Sequence, residues 1–409
     1  MDPVRNPFVP GAGTPPPELT GRAELLEQAR VTLARILIGR PAKSFIAVGL
    51  RGVGKTVLLT RARQMADGLG YRTCAIEAHD SKPLALILVP KLRSVLLELD
   101  QLGALSEQVK RGLRVLKGFV SGLKLTYGEA ELSLDIDAET GTADSGDLEA
   151  DLPELFVAVA RAAAARKTGI ALILDEIQYL SVKDMSALIM GLHRVAQENL
   201  PLTMVAAGLP QVVGLTGRSK SYAERLFDFP TVDALNREDA MKALADPARA
   251  EGVTFGADAL KRIFEVTQGY PYFLQEWGYH TWNRAQASPI SATDVDAASP
   301  LALATLDRSF FRVRLDRLTP REKGYLRAMA ELGPGPHRSG DIADVLGIGV
   351  TSAGPLRSGL IAKGMIYSPA HGDTGFTVPL FDEFMRRTVP ALLATSGSSA
   401  RLPPASGSR

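Results

Sequence analysis

Residues 48–59 read VGLRGVGKTVLL, a glycine-rich turn set between two apolar runs and closed by Gly54, Lys55 and Thr56. Gly49, Gly54, Lys55 and Thr56 satisfy the spacing G-x-x-x-x-G-K-[ST], in which glycine lets the backbone wrap phosphates closely while amide N–H groups and a helix N-terminus supply positive potential. The strand SFIAVG before the turn and a helix from about Lys55 after it supply the context this motif requires, which a glycine turn of chance composition would lack. The loop Gly49, Leu50, Arg51, Gly52, Val53, Gly54, Lys55 and Thr56 is therefore expected to hold the phosphates of ATP or ADP. Lys55 would reach the β- and γ-phosphates, and Thr56 would place its hydroxyl on Mg²⁺, an ion that takes hard oxygen ligands.

A second segment, IALILDEIQYL, places Asp175 and Glu176 at the end of an apolar run, where a strand would emerge at its carboxyl edge. This resembles a Walker B segment. Asp175 would then hold Mg²⁺ through water, and Glu176 would act as general base on the attacking water. The plainer alternative, a strand ending in solvated acids, is weakened by the apolar run and by the partner loop upstream.

At 409 residues the chain is long enough for two or three domains. Its 47 Lys plus Arg nearly cancel 45 Asp plus Glu, so no global field dictates a nucleic-acid or membrane partner. Cys74, alone of its kind, can form no internal disulfide, which fits a reducing cytoplasm, and the histidines show no metal-ligand spacing. No stretch reaches the ~20 apolar residues of a membrane span, and the first residues lack the apolar core of a signal peptide.

The organisation expected is an extended Pro/Gly-rich arm over residues 1–17, with packing from near Leu19, then an α/β P-loop domain with a parallel sheet over 18–232. Strands and helices alternate there except in an insertion at about 102–150, where LKLTYGEAELSLDID reads as a small hairpin. A helical lid follows over 233–300, then helix, short helix, turn, helix and strand pair over 301–388, the pattern of a winged helix-turn-helix. A disordered tail is expected over 389–409.

These motifs together resemble the AAA+ ATPases, and within them the Orc1/Cdc6-like and STAND-like branch whose members carry a C-terminal winged helix. LTGRAELLEQ is similar to the branch's G-R-x-x-E motif, which implies that Gly21 and Arg22, with Leu19, sit beside the adenine, the acid in register being Glu24 or Glu27. QGYPYFLQEW resembles the G-x-P start of the lid helix, with Gly269 and Pro271. Two departures bear on rate. The strand LTMVAAG ends in Ala206, Ala207 and Gly208, where many relatives place a polar sensor of the γ-phosphate, and Tyr270, Pro271 and Tyr272 stand where a sensor arginine would lie. Each lost contact removes a charge-assisted hydrogen bond from the transferring phosphate, so the resemblance implies slow or partner-stimulated hydrolysis and a switch rather than a motor.

Arg225, in SKSYAERLFDFP, is the candidate arginine finger, which would act across a homo-oligomer with shared sites; Arg218 is the alternative, and solvated helix-end arginines are the plainer reading of both. The aromatic group Tyr270, Tyr272, Phe273, Trp277, Tyr279 and Trp282 reads as helix-face core. Residues 308–387 hold twelve Lys or Arg against eight Asp or Glu. In the candidate recognition helix, Arg357, Ser358 and Lys363 would face double-stranded DNA, with Gly372 turning the wing. The alternative is a STAND-like switch in which this domain is a clamp or protein-docking surface.

Overall fold

The computed structural model describes residues 1–11, 19–101, 107–124, 137–370 and 372–389, and the chain divides into two compact units, Met1–Ala304 and Thr305–Arg409. In the first unit α1 (Ala23–Leu37) leads to β1 (Ser44–Val48), which ends where the glycine-rich turn begins. There follow α2 (Lys55–Gly68), β2 (Arg72–Glu77), α3 (Leu84–Gln101), α4 (Glu107–Gly122), α5 (Leu148–Ala165), β3 (Ile170–Asp175), α6 (Val182–Gln197), β4 (Leu202–Gly208), α7 (Gln211–Ser219), α8 (Ala223–Leu226) and β5 (Phe227–Asp228). The strands form one five-stranded parallel sheet in the order β2-β3-β4-β1-β5.

β1 and β4 are buried throughout, and β3 is buried up to Asp175. A parallel sheet is covered on both faces, so its inner strands read as unbroken apolar runs rather than as alternation. With β4 between β1 and β3, the loops that follow β1 and β3 come out at the same carboxyl edge. There the strand order reverses and leaves the crevice in which open α/β sheets hold ligands.

Within the stretch expected to be an insertion, α4 is a helix that packs on α3 and α5. Val109, Leu113, Leu116 and Phe119, three or four apart, form its buried face, and a side chain on Gly112 would start 2.9 Å from Leu96 Cδ2. The hairpin expected in LKLTYGEAELSLDID falls on residues 125–136, outside the described residues, as does the tail expected beyond Val389.

Four helices complete the unit: α9 (Arg237–Ala250), α10 (Ala257–Thr267), α11 (Pro271–Arg284) and α12 (Ala292–Thr305). Phe273, Trp277 and Trp282 are buried along α11, which is the packing role their spacing implies. The N-terminal residues differ from a free arm. Phe8 is 1 % exposed, edge-on to Phe255 and Trp282, and it sits so close to Gly278 that a side chain there would start 2.7 Å from its ring. Asn6 donates to the Tyr279 carbonyl, and Trp282 Nε1 donates to the Asp2 carbonyl. Packing therefore begins before Leu19, because burying one phenylalanine is worth about 1.5–3 kcal/mol and outweighs the extended bias of the neighbouring prolines.

The second unit contains a π-helical turn, Leu306–Phe311, then α13 (Arg312–Leu315), α14 (Pro320–Glu331), β6 (His337–Arg338), α15 (Ser339–Leu346), α16 (Val350–Ala362), β7 (Ile366–Tyr367), β8 (Asp373–Phe376) and α17 (Phe381–Thr388). The strands pair in the order β6-β8-β7, antiparallel. Tyr325, Met329, Ile342, Leu360, Ile366, Phe381 and Phe384 are buried in this unit. α14 opens with a capping box between Thr319 and Glu322, a pairing that satisfies two otherwise orphaned N–H groups.

Candidate nucleotide site

The loop between β1 and α2 is held through its carbonyl groups, by Lys55 and by residues distant in the chain. Lys55 Nζ donates to the Gly49 carbonyl at 3.0 Å and to the Leu50 carbonyl at 2.7 Å. The Tyr270 hydroxyl donates to the Arg51 carbonyl, the Tyr272 N–H to the Gly52 carbonyl at 3.2 Å, and Arg22 Nη2 to the Val53 carbonyl at 3.2 Å. Every carbonyl from Gly49 to Val53 thus has a donor. Glycine is required for this arrangement. A side chain at Gly49 would start 2.2 Å from the Val232 carbonyl oxygen, and at Gly52, where φ is +81°, it would start 3.0 Å from the Tyr270 ring.

Lys55 is 7 % exposed. Burial pushes its ammonium down to about 8, against the opposing pull of the Glu176 and Asp175 charges. Thr56 Oγ1 donates to Asp175 Oδ2 at 2.6 Å, across from β3, and the Glu176 N–H donates to Asp175 Oδ1 at 2.8 Å. Burial raises the Asp175 carboxyl, and these two hydrogen bonds oppose that rise. A hydroxyl and a carboxylate oxygen in contact are hard donors of the kind Mg²⁺ takes, so Thr56 and Asp175 fit the role of holding it, whether directly or through water. Among the described residues no cluster of three or more His, Cys, Asp or Glu offers an alternative metal site.

Glu176 has φ of 53°, a left-handed conformation that non-glycine residues rarely take and that concentrates at functional sites. Its carboxylate accepts from Gln178 Nε2 and lies 3.7 Å from Arg51 Nη1, while Arg51 Nη2 donates to the Tyr179 hydroxyl at 2.7 Å. Gln178 Oε1 accepts from the Leu209 N–H at 3.0 Å, just past the end of β4. Sequence reasoning missed Gln178, because its importance lies in reaching a strand distant in the chain. It also took Tyr270 as core only, and Tyr270 is both buried and bonded to the loop.

The structure brings Gly49 to Thr56, Asp175 and Glu176 together, with Arg22, Tyr270 and Tyr272 against the loop and Pro271 opening α11 between the two tyrosines. Arg22 also donates to the Asp233 carbonyl, and so ties the loop to the segment that leads into α9. Gly21, at φ +72°, lies where a side chain would start 2.9 Å from Asp239 Oδ2. Arg225 is not brought to this site. It is exposed, and it precedes β5, whose Phe227 pairs with Ser44 at the amino end of β1. Arg218, exposed in the last turn of α7, is likewise unattached to the loop.

In the second unit, Arg357 is turned inward rather than outward, while Lys363 remains exposed. Arg357 donates to Thr374 Oγ1 at 2.9 Å, Ser368 Oγ at 2.7 Å and the Asp373 carbonyl at 3.0 Å, so it is turned onto the strand pair. Lys363 lies just beyond α16 and pairs with Glu322 at 2.7 Å. Ser358 is exposed. Arg357 found its partners inside the fold, whereas Lys363 stays exposed beside Glu322, and sequence alone could not show either pairing.

A family model described as AAA ATPase domain matches residues 18–205, and a second, described as a domain of unknown function (DUF8462), matches residues 308–385. No curated protein matches the chain. Among solved structures, a Walker-type ATPase of Pyrococcus abyssi is 17 % identical with a TM-score of 0.55, over 91 % of this chain and 97 % of that one, and shares its fold. The Orc1 protein of Aeropyrum pernix in complex with DNA is 15 % identical with a TM-score of 0.47, over 94 % and 96 %. Cdc6p of Pyrobaculum aerophilum is 14 % identical with a TM-score of 0.47, over 95 % and 97 %. With the glycine loop, the Asp175–Thr56 pair and the strand order in place, residues 18–205 of this chain are an AAA ATPase domain of the AAA+ P-loop class.

Proposed function

We propose that the chain is a nucleotide-dependent switch, binding Mg²⁺-ATP at Gly49 to Thr56 with Asp175 and hydrolysing it slowly with Glu176 as base. The observation that carries this reading is the attachment of α11 to the phosphate loop. The Tyr270 hydroxyl and the Tyr272 N–H both end on carbonyls of the loop that would receive the phosphates. A loop that adjusts to phosphate therefore pulls on the first turn of the lid helix, and the state of the nucleotide becomes a position of the lid.

For the output, the inward bonds of Arg357 favour a clamp or protein-docking role over duplex DNA. α16 contains no charged residue besides Arg357, and affinity for DNA rests largely on neutralised phosphates. The corner between α15 and α16 instead exposes Val345, Ile348 and Val350.

Hydrogen exchange read by mass spectrometry tests the switch. Saturating Mg²⁺-ATP is expected to change the exchange of residues 270–274 in the wild-type chain and to leave it unchanged in Lys55→Ala. Identical exchange at these amides with and without bound ATP overturns the coupling.

A further inference from the structure

The carboxyl edge of β4 has no polar side chain of its own, yet its end is not left apolar. Gln178, two residues after Glu176, fills the place. Its amide spans two elements: Oε1 accepts from the Leu209 N–H at 3.0 Å, and Nε2 donates to the Glu176 carboxylate. The orientation of this amide follows from its partners, because the Leu209 N–H can only donate and an ionised carboxylate can only accept. Gly208 makes the room, since a side chain there would start 3.0 Å from Gln178 Oε1 and 2.9 Å from Ile177 Cγ2. A larger side chain at Gly208 would therefore crowd Ile177 and the amide of Gln178.

We infer that Gln178 is a positioning residue for hydrolysis, fixing the carboxylate of Glu176 against the end of β4 so that it faces the water that attacks the γ-phosphate. The inference rests on the ATPase reading above. In the step it serves, the water oxygen bonds to the γ-phosphorus as the bond to the β–γ bridging oxygen breaks. The water proton passes to the Glu176 carboxylate, and ADP and phosphate leave. The carboxylate stands on a residue in a left-handed conformation and has Arg51 Nη1 3.7 Å from its other oxygen. Without the amide it has the Arg51 charge on one side only and swings toward it. A misplacement of about 1 Å can cost about 10²-fold in rate.

Two substitutions separate this role from mere bracing of β4. Gln178→Glu keeps an acceptor for the Leu209 N–H and replaces the donor facing Glu176 by a like charge. Gln178→Met keeps the length and removes both bonds. Turnover and direct ATP affinity are measured on the full chain across pH. The expected result is ATP affinity near wild type in both, kcat lowered about 10²-fold in both, and the acid limb of the kcat profile moved to higher pH in Gln178→Glu alone, because two adjacent carboxylates resist joint ionisation. Gln178→Glu with the wild-type kcat and acid limb overturns the role and leaves only the brace. An ATP affinity that falls as far as kcat also overturns it, by making Gln178 part of the nucleotide seat. A wild-type chain that binds ATP but shows no turnover overturns the hydrolysis reading and this role with it, whereas normal turnover with indifferent variants overturns this role alone.

Discussion

Lys55 gives up hydration for two backbone carbonyls, those of Gly49 and Leu50, and the two acids nearby do not fully offset the loss, so burial brings its ammonium down to about 8. Its value in the folded chain lies below the 10.5 of an unperturbed lysine. Between about 8 and 10.5 the unfolded chain therefore binds more protons, and this group's contribution to stability rises with pH across that window. Nucleotide affinity should move the other way. Only the cation attracts phosphate, so Mg²⁺-ATP affinity is expected to fall above about pH 8, by up to about tenfold per unit, with proton uptake on binding. Calorimetry in buffers of different ionisation enthalpy measures both, and affinity flat to pH 10 with no proton uptake would sink the placement of Lys55 against phosphate. Glu176→Gln, with Thr56 and Asp175 untouched, is expected to retain Mg²⁺-ATP and lose turnover, and a variant at the parent rate would remove Glu176 as base. That Thr56 and Asp175 would meet was legible in the sequence, because a glycine-rich loop and a separate apolar run ending in Asp175 and Glu176 each announce the carboxyl end of a strand. Gln178 was not, since one glutamine after two acids means nothing until β4 is laid beside β3.

At the scale of elements, α11 and α16 each carry a charged group that the fold has drawn in. Glu276 on α11 is 3 % exposed, with Oε2 lacking a hydrogen bond and 3.6 Å from His280 Nε2. Burial raises its carboxyl to about 7, against a hydrogen bond from Tyr272. Because the folded value is raised above 4.5, the native chain binds more protons between about 4.5 and 7, and stability from this group is lost as pH rises through that interval. Glu276→Gln should accordingly melt higher than wild type at pH 8 and converge with it toward pH 5; equal melting temperatures at pH 8 would mean the carboxylate is adequately solvated. Arg357 on α16 ties the helix to the strand pair through Thr374, Ser368 and Asp373, and Thr374 is fully buried. Arg357→Ala removes the guanidinium donor from the buried Thr374 hydroxyl, at about 1–3 kcal/mol. It should lower the melting temperature of the chain while leaving its affinity for duplex DNA and the salt dependence of that affinity unchanged. A stable variant with weaker, less salt-dependent DNA binding would restore the DNA-reading role of α16. The elements themselves were legible where apolar periodicity was unbroken, as in β1, β3 and α6. They were not legible at Phe8, where prolines dominate the local signal and one aromatic ring decides the packing.

For the whole molecule, the parallel sheet separates two residues that hydrolysis would need together. Phe227 pairs with Ser44 at the amino end of β1, and the phosphate loop leaves the other end after Val48. A parallel strand of this length spans about 16 Å, beyond the reach of one arginine side chain, so Arg225 cannot serve the loop of its own chain. It is exposed, beside His193 and Tyr222, whose rings lie 4.8 Å apart. If it completes a site, the site belongs to a second copy of the chain. Arg225→Ala alone should then bind ATP and lose turnover, since arginine supplied in trans is worth about 10³–10⁵ in rate. Lys55→Ala alone should lose both. Mixed in equal amounts, the two inactive chains can pair the intact loop of one with the intact arginine of the other, so roughly a quarter of the sites should recover. Normal turnover by Arg225→Ala alone removes the residue from catalysis. Silence in a mixture that sedimentation shows to be oligomeric means that the arginine does not cross to a neighbouring loop, and the exposed Arg218 would be the next residue to substitute.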